Sequence, residues 1–305
     1  LKIFYSDSFD LNLPAGHRFP GTKYGMLRRR LIEERIIDES SLIPSPLASA
    51  EEIEVAHDPA YIESIASGSI SPAAMRRIGF PWSAHIWNRA RATMGGAVAA
   101  ARAALEDGVS GQLAGGTHHA HCDFGAGYCV FNDFAIVALT LLKEARVSRI
   151  AIIDLDVHQG DGNAALLGGR GDVFVFSMHG RKNFPFRKEK STLDVELLDG
   201  VEDEEYLAAL AGHLPAVWAF RPDLILYQAG VDPLAEDRLG RIALTHRGLM
   251  ARDRMVLGGA KARGVPVSIA IGGGYANPIE ASVAAYANTW RVAREVFSRR
   301  ALPPR

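Results

Sequence analysis

The chain reads as an α/β protein: one domain over residues 1–305, built on a parallel sheet with helices on both faces. Three observations lead there. Short β-branched apolar runs alternate with Ala-, Leu- and Arg-rich stretches of helical length, the pattern of repeated strand–helix crossovers. No repeat, low-complexity segment or linker interrupts that alternation. The chemically reactive residues gather just past the apolar runs, where open parallel sheets bind ligands.

In chain order, Ile3–Tyr5 is the first expected strand, and residues 22–38 and 50–67 are expected helices separated by a loop at Pro44 and Pro46. Ser69–Pro81 is polar and punctuated by Pro and Gly, so it is read as a long loop. An Ala-rich helix over 83–107 precedes a short strand, Gly111–Ala114, and a helix over 132–146. The apolar run Ile150–Asp154 reads as a buried strand, as do Val173–Ser177, Leu224–Gln228 and Val267–Ile271. Helices are expected over 203–219, 246–263 and 277–298. The acidic run Glu202–Glu205 fits a helix start, where negative charge complements the dipole.

Composition excludes several classes. The 305 residues are 48% hydrophobic and 23% charged, ordinary for a globular enzyme. With 34 basic and 35 acidic residues the net charge is −1, so no global field draws nucleic acid or an anionic membrane. Arg28-Arg29-Arg30 is too short to alter that and fits a solvated helix face. No run of 18 apolar residues exists, so no membrane span is expected. Asp7, Asp10, Pro14 and His17 occupy the place of a signal peptide's apolar core, which leads to an expected cytoplasmic location. Cys122 and Cys129 match no common zinc or redox spacing and are read as reduced thiols.

The densest chemistry follows Ile153: Asp154-Leu155-Asp156-Val157-His158-Gln159-Gly160-Asp161-Gly162. Alternate strand residues share a face, so Asp154, Asp156 and His158 are expected to converge there, with a tight turn at Gly160 and Gly162. Carboxylates with an imidazole suit zinc or a similar divalent ion. Four more strand exits add reactive groups: Thr117-His118-His119, Ser177-Met178-His179, Gly230-Val231-Asp232 and Gly272-Gly273-Gly274-Tyr275. Each alone fits a satisfied core histidine, a helix cap or a loop; together they form a set. The Gly-rich exit is not a nucleotide loop, since neither G-x-G-x-x-G nor G-x₄-G-K-[ST] occurs. A hydrolytic metal site needs about three protein ligands and an open position, which Asp156, His158 and Asp232 can supply. His118 and His119 are candidate acid–base groups, Asp154 and Asp161 their orienting carboxylates, and Tyr275 a donor for a developing oxyanion.

The pieces GGTHHA at 115–120, GYCVFND at 127–133, DLDVHQGDG at 154–162, AGVDPLAEDRLG at 229–240 and GGGY at 272–275 resemble the zinc-dependent histone deacetylase family of the arginase–deacetylase superfamily. His17-Arg18-Phe19-Pro20, Arg77–Trp82 and Asn183–Phe186 look closest to its class IV-like and bacterial branch. The resemblance implies an eight-stranded parallel sheet and hydrolysis of an acyl-lysine, in a peptide or protein, or of a small acylated amine. It implies Zn2+, or Fe2+ or Co2+, on Asp156, His158 and Asp232. His119 would be the general base and later acid, paired with Asp161; His118 would be mainly electrostatic, paired with Asp154; Tyr275 would bind the substrate carbonyl. A structural K+ is implied at Asp154, Asp156, His158, Ser177 and Met178. Gly127, Tyr128, Phe186 and Gly273 would line the acyl channel. The chain departs from the better-known members in reading HRFPGTKY near its start, where Lys23 is the candidate for a basic residue near the internal acetate cavity.

Other readings make different demands. A polyamine deacetylase would carry acidic residues at its channel mouth. An arginase-like dinuclear hydrolase would need further bridging ligands, and Pro233–Glu236 lacks the extra Asp. An inactive acyl-lysine-binding scaffold would have lost His119, Asp156, His158, Asp232 or Tyr275, all of which are present.

Overall fold

A computed structural model describes residues 1–298; residues 299–305, the tail of the expected domain, lie outside the described residues. Eight strands form the sheet: β1 (Lys2–Tyr5), β2 (Leu42–Pro44), β3 (Val109–Gln112), β4 (Ile150–Asp154), β5 (Val173–Gly180), β6 (Leu193–Leu197), β7 (Leu224–Gln228) and β8 (Val267–Ala270). Their order across the sheet is β2-β1-β3-β8-β7-β4-β5-β6, every neighbouring pair parallel. Parallel neighbours need crossovers, and most of the ten α-helices among the described residues supply them: α1 (Lys23–Glu33), α2 (Ala50–Ile53), α3 (Pro59–Ser67), α4 (Pro72–Ile78), α5 (Ala84–Asp107), α6 (Asp133–Lys143), α7 (Asp161–Leu167), α8 (Asp203–Ala219), α9 (His246–Ala262) and α10 (Ile279–Ser298).

Strand β4 shows why a central strand is apolar up to its last residue. Ala151 and Ile153 face a core shared with Leu210 of α8, Val256 of α9 and Trp290 of α10. Ile150 and Ile152 face a second core with Met94 of α5 and Phe134 of α6. A strand covered on both sides has no solvent face to make polar.

Several boundaries differ from expectation, each for a local reason. Strands β2 and β6 carry no apolar-run signal: β2 is three residues at one sheet edge, and β6 is a half-buried edge strand. The helix expected over 50–67 breaks into α2 and α3, because Asp58 caps a new start with Pro59 in its first turn. The expected loop Ser69–Pro81 contains α4, capped by Ser71, opened by Pro72 and closed by Gly79 at φ +93°. The turn at Gly160 and Gly162 opens α7.

Topology explains how distant motifs meet. The five strands whose ends carry the reactive residues are consecutive across the sheet, β3-β8-β7-β4-β5. All are parallel, so their carboxyl ends share one edge of the sheet.

Candidate active site

Asp156 and His158 come together beyond β4 while the Asp154 carboxylate turns to His118, and the pleat of a strand does not produce this arrangement. Strand β4 stops at Asp154. Beyond it the Asp154 carboxylate accepts the Asp156 N–H at 3.2 Å, and the Asp156 carboxylate accepts the His158 N–H at 3.0 Å. Two successive Asx-type turns therefore aim these side chains.

Asp156, His158 and Asp232 each bring one ligand-type atom to a common point, all within 4.8 Å of one another and all buried. His158 Nδ1 lies 3.0 Å from Asp156 Oδ1 and 3.0 Å from Asp232 Oδ2. The chain is shaped around these groups: Gly273 N–H donates to Asp156 Oδ2 at 2.7 Å. A Cβ at position 273 would fall 2.0 Å from Asp232 Oδ2, so a larger residue would displace the carboxylate. Burial, and then the adjacent Asp156, lift Asp232 to about 7. Two buried carboxylates converging on one imidazole nitrogen are a donor set that a divalent cation fits.

Two histidine–carboxylate pairs stand beside the cluster. His118 Nδ1 is 2.8 Å from Asp154 Oδ2, and His119 Nδ1 is 2.5 Å from Asp161 Oδ1. The rings are 4.1 Å apart, yet their environments separate them. Burial disfavours charge on His118, but Asp154 and then Asp156 outweigh it and raise the group to about 9. Burial, then the charge on His118, push His119 down to about 4 against the pull of Asp161. The two environments thus favour the charged form of His118 and the neutral form of His119, whose Nε2 is free of Asp161.

Tyr275 is held by its backbone. Its N–H donates to Asp237 at 2.6 Å, and its carbonyl accepts from Arg238 at 3.1 Å. Buried Lys23 donates to the Gly274 carbonyl and the Tyr286 hydroxyl, 3.1 Å each, with its ammonium 4.8 Å from the Tyr275 ring centre. Burial, then Asp232 and Asp156, raise the Tyr275 phenol well above its ordinary value, so it stays a donor. Ser177 lies opposite Asp154 in the β4–β5 register, and it and Met178 are buried.

His118, His119, Asp156, His158 and Tyr275 line the floor of a cavity of about 620 Å³. Gly127, Tyr128, Phe186 and Gly273 all line it. Gly127 and Tyr128 adopt φ of +53° and +67°, and their N–H groups donate to Arg77 and Ile78 at the end of α4. A Cβ at Gly127 would meet the His119 ring at 2.7 Å, so only glycine lets the turn approach the histidine. Phe186 is 88% exposed and stands at the rim. The inner wall is Phe184, edge-on to His119 with centroids 4.9 Å apart. Sequence reasoning assigned no role to Phe184, nor to His121, which shares Asp161 at 3.2 Å. It also missed Asp237 and Arg252. Arg252 is buried and donates to the carbonyls of Leu155 and Gly230, bracing both loops that carry cluster carboxylates. The spacing of these residues carried no signal, because the contacts that tie them to the site lie far off in sequence.

A model described as the histone deacetylase domain matches residues 17–291. An uncharacterized protein of Picosynechococcus sp. is 41% identical over 296 residues, covering 97% of this chain and 99% of its own. Histone deacetylase 2 of Arabidopsis thaliana is 29% identical over 296 residues, covering 90% of this chain and 74% of its own. The crystal structure of an HDAC homolog from Aquifex aeolicus superposes with a TM-score of 0.81 at 26% identity, covering 98% of this chain and 84% of that one.

Proposed function

The chain belongs to the histone deacetylase family, and from that premise we propose that it hydrolyses the amide of an acyl-lysine or a related acylated amine. The observation that carries this reading is the buried Asp156–His158–Asp232 cluster beside two oppositely tuned histidines at the floor of one cavity. Asp156, His158 and Asp232 would hold a divalent ion, zinc by family habit, with iron and cobalt compatible with the same ligands. When bound, such an ion supplies Lewis acidity toward water and a carbonyl oxygen.

The remaining work falls to the chain. His119, neutral and held through Nδ1 by Asp161, takes the proton of the attacking water at Nε2. It then returns that proton to the departing nitrogen as the amide C–N bond breaks, leaving a carboxylic acid and an amine, which ionise to carboxylate and ammonium by passing the acid's proton to the amine. His118, cationic beside Asp154, stabilises negative charge as it develops without needing to move a proton. The Tyr275 hydroxyl donates to the same oxyanion. Tyr128, Phe184 and the Gly127 turn hold the apolar part of the substrate amine and exclude water. Asp154, Asp156, His158, Ser177 and Met178 would carry a structural potassium ion.

The test is hydrolysis of acetyl-, octanoyl- and myristoyl-lysine peptides and acetylated polyamines by metal-loaded protein, followed by mass spectrometry. Release of one acyl class is expected; no release from any member contradicts the reading. On the best substrate Tyr275→Phe is expected to lower kcat by about 10²–10³-fold, the usual cost of one oxyanion donor. An unchanged rate would remove Tyr275 from the chemistry.

A further inference from the structure

The mouth of the cavity is lined by Arg76, Arg77, Lys182 and Arg241, all exposed. They come from three segments: the last turn of α4, the β5–β6 loop and the β7–α9 loop. Asp156, on the floor, is the only acidic residue lining the cavity among the described residues. One carboxylate outside it, Asp199, serves both Lys182 at 3.5 Å and Arg241 at 3.2 Å. Among the described residues Arg76 and Arg77 have no ion pair; the Arg77 guanidinium lies 4.7 Å from the centre of the Phe124 ring.

Internal needs do not account for this set. Basic residues at a helix C-terminus favour its dipole, which explains Arg76 and Arg77 in part. Lys182 and Arg241 are on no helix, and two cations sharing one acid leave charge over. Nor is the chain basic as a whole, since its net charge is −1. The acidic run Glu202–Glu205 begins α8 and does not line the cavity. A substrate reaching the floor therefore passes a low-dielectric funnel of one sign, which concentrates anions and repels cations.

We propose that the substrate carries negative charge, from carboxylates close to its acylated nitrogen, and that Arg76, Arg77, Lys182 and Arg241 select it. The proposal rests on the deacylase reading above. A polyamine, whose remaining amines are cationic, would meet four like charges at the mouth.

The experiment compares two fluorescein-labelled acetyl-lysine peptides, identical but for glutamate or lysine flanks, with zinc-loaded protein. Both acetate release and binding by fluorescence anisotropy are measured at low and high salt. The acidic peptide is expected to lead by about tenfold or more in kcat/KM and in affinity at low salt, a gap that shrinks as salt screens the mouth. Arg77→Glu combined with Arg241→Glu should reverse the order. Equal behaviour of the two peptides, or a lead for the basic one, overturns the proposal whatever the rates. A charge-dependent affinity with no acyl release from these peptides or from any member of the acyl panel above supports the selection by charge and overturns the deacylase reading instead.

Discussion

His119→Ala protein is expected to hydrolyse its substrate about 10²–10⁴-fold more slowly than the parent, the range lost with a general acid–base group, while keeping its metal. The expectation follows from the separation of two adjacent imidazoles. His119 is held down to about 4 by burial and by the charge of His118, so it is ready to accept a proton near neutrality. His118 is raised to about 9 once Asp154 and Asp156 outweigh its burial, and it has no proton vacancy to offer. The alanine variant leaves the Asp156–His158–Asp232 cluster intact, since His119 supplies none of its ligand atoms. Initial rates with metal content by mass spectrometry separate the two effects. A full rate would remove His119 as base; a lost metal would give it a structural role instead.

Asp232→Asn is expected to cost both metal and rate. The substitution keeps the volume and an oxygen for the Val157 N–H, which Asp232 Oδ1 accepts at 2.8 Å. It removes the charge facing His158 Nδ1 at 3.0 Å. Outer partners of a metal site are worth about 10–100-fold in affinity, and a direct ligand should exceed that, so zinc binding should weaken by at least about 100-fold. Calorimetric titration of zinc into metal-free protein reads this directly. An unchanged affinity would place the metal elsewhere.

What the sequence discloses follows physical lines. The sheet's centre is legible because β4 and β7 are buried on both faces and so carry an apolar run up to a single polar residue at their carboxyl ends, Asp154 and Gln228. The cluster is legible because its residues crowd strand exits, although turn hydrogen bonds, not the pleat, aim Asp156 and His158. The edges are not legible: Leu42–Pro44 has too few residues to show a period, and β6 is half exposed. Supporting residues stay silent because the contacts that tie them to the site are remote in sequence. Asp237 accepts the N–H groups of Leu239, Gly240 and Tyr275, the last 38 positions away. Phe184 reaches His119 only because the β5–β6 loop folds over the end of β3. The basic mouth is equally hidden, since Arg76, Lys182 and Arg241 are scattered in a chain of balanced charge. Among the described residues no helix is long and apolar enough to cross a membrane, in line with the sequence.

The most direct test of the central claim is to strip the protein with a chelator and follow acyl release as zinc is returned. The account predicts no turnover in the stripped protein, recovery complete at one ion per chain, and no recovery in Asp232→Asn at the same zinc concentration. Turnover that persists without metal, or a fully zinc-loaded chain that releases no acyl group from any lysine or amine substrate, would contradict it.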